Sequence, residues 1–302
     1  MPHSTGRSST EDWILKAGRR LQRARLFFGH GAQNAYDEAA WMLAHTCRIP
    51  PSRYDELSTH DLDEAERERA DALIAERIRT RAPAAYLLHE AWLSGRRFYV
   101  DERVIVPRSF IAELLEEKFS PWIERPAKVA RVLDMCTGSG CLAILAAQAF
   151  KHAKVDAVDL SADALAVAAI NVRRHRLSRR LRLIESDVFS KVPRGRYDLI
   201  ITNPPYVDAA SMRTLPDEFR HEPKLALAGG SNGLVLVKRI MAEAPKFLSP
   251  GGLLVMEIGH NRAVLEKAYP RTEFTWLDTS GGDEFVCLLT REQALEATRG
   301  KG

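Results

Sequence analysis

From residue 131 onward the chain alternates between two apolar periods, and that alternation limits the fold more than any other feature. "ARVLDM", "KVDAVDL", "LRLIES" and "YDLIIT" are short apolar runs of strand length, while "GCLAILAAQAF", "SADALAVAAINVRRH" and "GLVLVKRIMAEAPKFL" space their apolar residues as helices do. Three more strand-like runs, "GGLLVMEIG", "EFTWLD" and "EFVCLLT", follow. Short strands that are apolar on both faces need helices on both faces, so the expected class is α/β with a doubly wound, mainly parallel sheet. Ligands of such sheets bind beyond the carboxyl ends of the strands, near the switch point, and the residues at those ends carry the functional argument.

Upstream, residues 11 to 80 show only helical spacing. "HDLDEAERERADALIAERIRT" can be capped by Asp61 or Asp63, and its alternating charges read as a solvated outer face. At Pro83 the character changes. "AWLSGRRFYVDERVIVPRS" holds two apolar-rich runs around Ser94-Gly95 and Asp101-Glu102, the pattern of a hairpin joining domains. A chain of 302 residues with 45% hydrophobic side chains can fill two modest cores. The expected organisation is a helical domain over 1–82, a β-hairpin linker over 83–107 and a catalytic domain over 108–302.

Several function classes are disfavoured at this point. No apolar run reaches membrane-spanning length, and the polar opening "MPHSTGRSSTED" lacks the core of a secretion signal, so a cytoplasmic protein is expected. Cys47, Cys136, Cys141 and Cys287 lack close metal-ligand spacing, and neither disulfides nor a metal are expected. A net charge of +4 is small beside 44 basic and 40 acidic residues and hints only weakly at an anionic partner.

The strand ends are more informative. "VLDMCTGSGCLAIL" places Asp134 at a strand terminus, then Gly138 and Gly140 in a turn that opens a helix. Such glycines either let a ligand approach the backbone or merely allow tight packing. Asp159 ends the next strand, where a carboxylate can accept both hydroxyls of a ribose or, alternatively, cap the helix that Ser161 could also cap. Asp187 follows the third strand and is expected near an adenine rim. The fuller G-x-G-x-x-G spacing of dinucleotide sites is missing, which favours S-adenosyl-L-methionine as the adenosyl ligand.

The fourth strand delivers Asn203-Pro204-Pro205-Tyr206 to the same end. The prolines fix their own φ, donate no N–H and bias Asn203 towards extended backbone, which makes a stiff turn rich in free carbonyls. Asn203 Oδ1 and the Pro204 carbonyl can together accept from a planar NH2, and Tyr206 can lie against its π-system. The natural guest is a planar amine or amide, a glutamine side chain or the exocyclic amine of adenine or cytosine. An amide nitrogen has a delocalised lone pair, and its protons are too weakly acidic for an ordinary side chain to remove. Positioning and charge stabilisation must therefore do most of the work, and no strong base is needed. His175, His221 and His260 lie near these segments and are expected to be surface or packing residues, as Trp41 and Trp92 are expected to be core anchors.

With these motifs the chain resembles the class I methyltransferases and, more narrowly, the N(5)-glutamine methyltransferases. "RAPAAYL", "LDMCTGSGCLAI", "SDVF", "NPPYVDAASMRTLPDEFRHEPKLALAGGSNGL" and "GGLLVMEIGHN" are similar to the branch that modifies the large-subunit ribosomal protein L-three. Ser109 and Cys136 stand where the release-factor branch usually has proline and glycine. The resemblance implies a Rossmann-like domain with an antiparallel strand near its end and a small helical domain that binds substrate. It implies Asp134, Thr137, Gly138, Gly140, Asp159, Asp187 and Asn203 as cofactor residues, with Asn203, Pro204, Pro205 and Tyr206 holding the glutamine. Pro107 and Arg108 match a segment near that pocket, whereas Leu88-His89 and Glu284 depart from the pattern. The expected partner is a ribosomal protein, with no nucleic acid or membrane required. Rival readings are a release-factor glutamine methyltransferase, a DNA or RNA adenine methyltransferase that flips its target base, and a non-catalytic adapter.

Overall fold

The computed structural model describes residues 9–193 and 195–299, so most of the polar opening lies outside the described residues. The chain forms two compact units. One comprises the residues up to Glu102 together with Val106–Arg108 and Pro216–His221, and the other comprises Arg103–Ile105, Ser109–Leu215 and the chain from Glu222 onward. None of the helices among the described residues is long and apolar enough to cross a membrane.

The first unit is built from α1 (Ser9–Arg23), α2 (Ala35–Thr46), α3 (Glu64–Thr80), the short α4 (Ala84–Leu88) and a hairpin of β1 (Ala91–Leu93) with β2 (Arg96–Phe98). Local chemistry sets the boundaries. Asn34 Oδ1 accepts from the Tyr36 and Asp37 N–H groups to start α2. Asp63, rather than Asp61, caps α3 through a reciprocal capping box with Glu66. Ser94 and Gly95 both have positive φ, as a two-residue hairpin turn with right-handed strand twist requires. Trp41 and Trp92 both donate their indole N–H to Glu90 Oε1, at 3.1 and 2.8 Å. Burial pushes the Glu90 carboxyl up, but the hydrogen bonds from His45 and the two indoles, with the Arg97 charge, hold it down to about 2. The fold also brings Cys47, His60 and Glu66 together, with donor atoms within 4.8 Å of one another, a proximity that sequence spacing did not show.

The charges of α3 are not all solvated. Arg77 is fully buried; its Nε donates to Glu38 Oε1 at 2.8 Å, and the rest of the guanidinium donates to the carbonyls of Arg81 and Phe27. Glu218, also fully buried, accepts from the Phe27 N–H at 3.0 Å and from Arg81 Nη2 at 2.7 Å. Phe219 packs on Phe27 and His30, with the Arg108 guanidinium 5.3 Å from its ring centre. Residues 216–221 thus come from far along the chain to complete the core of the helical unit.

The second unit begins its regular structure with α5 (Ile111–Glu116) and β3 (Arg131–Met135), then α6 (Cys141–Ala149), β4 (Lys154–Asp159), α7 (Ala162–Arg174), β5 (Leu181–Glu185) and β6 (Tyr197–Thr202). It continues with α8 (Lys224–Leu227), α9 (Val235–Phe247), β7 (Leu248–Glu257), α10 (Arg262–Ala268), β8 (Thr275–Leu277), β9 (Val286–Thr290) and α11 (Arg291–Arg299). The sheet order is β5-β4-β3-β6-β7-β9-β8. Pairing is parallel from β5 to β7, and β9 is antiparallel to both its neighbours. This is the doubly wound Rossmann-like arrangement, and successive connections diverge between β3 and β6, which places a ligand crevice at their carboxyl ends. The central strands are almost wholly buried, as their continuous apolar runs require. Helix α11 was not foreseen, because its charged sequence offers only Ala294 and Ala297 to the core.

Removal of the Glu218 carboxylate should expose how far the helical unit relies on the inserted segment. Glu218→Ala leaves two arginines facing a vacated acceptor and should lower stability by about 3–5 kcal/mol. Glu218→Gln keeps a carbonyl for the Phe27 N–H and should lose less, a ranking that urea unfolding can measure.

Candidate active site

The first turn beyond β3 is compressed. Cys136, Gly138 and Gly140 all have positive φ, at 63°, 53° and 80°. The two glycines serve different ends. A Cβ at Gly140 would come within 3.1 Å of the Ala168 side chain on α7, so this glycine is a packing requirement. A Cβ at Gly138 would meet nothing within 4 Å, and Gly138 lines a cavity of about 320 Å³.

Two aspartates hold this turn from opposite sides. Asp134 is fully buried and its Oδ2 accepts from Thr137 Oγ1 at 2.5 Å and from the Ala143 N–H at 3.0 Å. Burial outweighs those hydrogen bonds and pushes its carboxyl up to about 7, and its Oδ1 has no hydrogen-bond partner among the described residues. Asp159 stands on the cavity wall, where its two oxygens accept from the Gly138 N–H at 2.8 Å and the Ser161 N–H at 3.0 Å. Burial raises its pKa as well. Ser161 Oγ accepts from the Ala164 N–H and is the cap of α7, which releases Asp159 from that role. A carboxylate has about four acceptor positions, so Asp159 retains capacity to accept from a bound diol.

Beyond β5, Asp187 sits half-exposed at the cavity and pairs with Arg239 of α9 at 2.9 Å, which lowers its pKa. The next residue, Val188, has φ 48°, an unusual value for a β-branched side chain. Ser186 Oγ holds that turn by donating to the Val188 carbonyl at 2.9 Å and accepting from the Lys191 N–H at 2.8 Å. Cys136 also lines the cavity; burial first, then the charges of Asp159 and Asp134, raise its pKa and keep it a neutral thiol.

After β6 the arrangement is set by a residue not singled out from sequence. Glu257, buried at the end of β7, accepts from Ser109 Oγ at 2.6 Å and the Phe110 N–H at 2.9 Å through Oε2, and from Asn203 Nδ2 at 3.2 Å through Oε1. A carboxylate so placed takes the amide nitrogen of Asn203 and thereby fixes which end of that amide is Oδ1. Tyr206 is fixed just as closely. Asn261 Nδ2 donates to its carbonyl at 2.9 Å. A Cβ at Gly229, Gly233 or Gly259 would come within 2.7, 2.4 or 2.5 Å of Tyr206. The Val207 N–H donates to the Leu227 carbonyl and the Gly229 N–H to the Val207 carbonyl, which ties the following strand-like segment to 227–229.

Of the residues expected at the site, Gly138, Asp159, Asp187, Asn203 and Pro205 line one cavity. Asp134, Thr137 and Gly140 do not line it and shape the turn from behind; Pro204 and Tyr206 are likewise outside its wall. Three exposed apolar side chains, Leu160, Leu225 and Val235, also contribute to the cavity. The histidines are elsewhere. His221 bonds the Thr80 carbonyl in the helical unit, His260 packs on Phe285, and His175 ends α7 near Gln148. The signal for Glu257 was present in "VMEIGHN": an acid closing an otherwise apolar strand needs donors wherever it is buried.

Comparison with known proteins agrees with this geometry. Residues 112–235 match the family described as "Methyltransferase small domain". The ribosomal protein uL3 glutamine methyltransferase of Neisseria meningitidis serogroup B is 53% identical over 288 residues, 95% of each chain. That of Bordetella pertussis is 54% identical over 282 residues, covering 93% of this chain and 95% of its own. Among solved structures, a methyltransferase from Pyrococcus furiosus aligns at 17% identity with a TM-score of 0.48, over 73% of this chain and 97% of its own. Identity above one half along nearly the full length of both curated relatives shows that the chain belongs to the ribosomal protein uL3 glutamine methyltransferase family.

Proposed function

We propose that the chain methylates the side-chain amide nitrogen of a glutamine in large-subunit ribosomal protein uL3, with S-adenosyl-L-methionine as donor. The observation that carries the chemistry is the Asn203–Glu257 hydrogen bond, because it fixes which end of the Asn203 amide is the acceptor Oδ1. The cofactor residues fit an adenosyl sulfonium. Asp159 keeps acceptor capacity for a ribose diol, Gly138 leaves the wall open to close approach, and Asp134 holds the same turn from behind. When bound, the cofactor supplies an electrophilic methyl group on a positively charged sulfur.

Everything else is positioning by this chain. Asn203 Oδ1 and the Pro204 carbonyl accept the two amide protons of the glutamine, draw electron density onto its nitrogen and stabilise the positive charge that grows there as the new bond forms. Pro205 offers no N–H to compete for those acceptors, and Tyr206, its backbone against Gly229 and Gly233 and its ring against Gly259, is placed to lie against the planar amide. The lost proton departs after transfer, so no histidine is required. Cys136, held as a thiol, is a poor rival nucleophile beside the cofactor.

Three substitutions separate the roles. Asn203→Ala should leave folding and cofactor affinity intact while methyl transfer to purified uL3 falls by about 10²–10³, read with radiolabelled cofactor. Glu257→Gln brings an NH2 among three donors, so kcat should fall by about 10² with cofactor affinity unchanged; an unaltered kcat would detach Glu257 from the positioning of Asn203. Asp159→Ala should weaken cofactor binding by about 1.5–3 kcal/mol in calorimetry, the scale of hydrogen bonds to a charged acceptor.

A further inference from the structure

The residues 171–182, "NVRRHRLSRRLR", hold six arginines and no carboxylate. They cover the end of α7, its connection to β5 and the start of β5. Arg180 turns inward and donates to the carbonyls of Ala147, Phe150 and Ala153, which brings this connection against the one between α6 and β4. That second connection and the start of β4 add exposed Lys151 and Lys154 to the exposed Arg173, Arg174, Arg176 and Arg179. Arg182 pairs with Asp156, but none of those other six cations has a carboxylate partner among the described residues. The patch lies at the amino ends of the strands, opposite the cavity.

A helix C-terminus favours cations and accounts for Arg173 and Arg174. It does not account for Arg176, Arg179, Lys151 and Lys154. Six exposed cations on and beside two adjoining connections repel one another, in a chain whose helix α3 mixes charges of both signs along its length. Their mutual repulsion is relieved by a ligand with repeated negative charge, and guanidinium groups match phosphate in charge and planar geometry. A lipid surface is the weaker match, since interfacial binding needs apolar anchors and the exposed large hydrophobic residues all lie outside both connections.

We propose that this basic rim binds the phosphate backbone of RNA, and that the enzyme meets uL3 when that protein is already on RNA. The inference rests on the proposed function for its substrate and on the charge cluster for its partner. It revises the expectation that no nucleic acid takes part, which was drawn from the balanced charge of the helical N-terminal region.

The test uses the full chain and a quadruple variant, Arg173→Gln with Arg174→Gln, Arg176→Gln and Arg179→Gln, checked for unchanged cofactor affinity. Binding of a fluorescein-labelled single-stranded RNA is followed by anisotropy across salt concentrations. With about four phosphates contacted, log K should fall against log salt with a slope of about −3 for the wild type. The variant should lose at least about tenfold in affinity and most of that slope. Methyl transfer to free uL3 should stay within about twofold, whereas transfer to uL3 bound to ribosomal RNA should drop by about tenfold, in line with the lost affinity. Unchanged RNA affinity in the variant, or undiminished methylation of RNA-bound uL3, overturns the proposal. So does tighter binding of the same arginines to phosphatidylglycerol vesicles than to RNA. If the wild type methylates neither form of uL3, the proposed function fails, while the RNA titration still decides the partner.

Discussion

The site depends on one buried carboxylate at the end of β7. Glu257 gathers a hydroxyl and a backbone N–H from Ser109-Phe110 and an amide NH2 from Asn203, three part-buried donors from two separated segments at the carboxyl end of the sheet. Leaving one buried polar group unpaired costs about 1–3 kcal/mol, so the three bonds together favour a single arrangement of Ser109, Phe110 and Asn203. The same bonds decide which way the Asn203 amide faces. An acceptor of fixed direction is what a weak amide nucleophile needs, because the chemistry has little other assistance.

Asp134 and Asp159 show how residues of one type divide work by location. Both end strands, and both receive hydrogen bonds from the turn that follows β3. Asp134 acts from the core side and orders Thr137 and the start of α6; Asp159 acts from the cavity side and holds Gly138. Between them the turn tolerates Cys136 at positive φ, a conformation that costs of order 1–3 kcal/mol for a residue with a side chain and persists only where its surroundings fix it. Cys136 lines the cavity, and, two residues on, the Gly138 N–H is held by Asp159.

Much of this could be read from sequence. Parallel strands buried on both faces announce themselves as continuous apolar runs, and their polar terminators sit where a doubly wound sheet binds ligands. What escaped was long-range. Arg77, Glu38 and Glu218 look like solvated charges because each lies among other polar residues; only the return of 216–221 to the helical unit buries them together. Gly140 could not be told from Gly138 in the sequence, since only the proximity of Ala168 makes one a packing glycine. The glycines around Tyr206 come from two segments separated by tens of residues, and no local pattern records that they converge on one residue.

Parallel topology also separates charge. All strands from β5 to β7 run the same way, so Asp134, Asp159, Asp187 and Glu257 collect near one end of the sheet, while Arg131, Lys154 and Arg182 collect at the other. Strands of five or six residues span roughly 17–20 Å, about twice the distance over which physiological salt screens exposed charge. The carboxylates at the crevice end are therefore largely screened from the basic rim at the other end. An antiparallel sheet would interleave strand starts with strand ends at both edges and bring the two fields together. The segregation follows from strand direction alone, which links the order of elements in the chain to the chemistry at each end of the sheet.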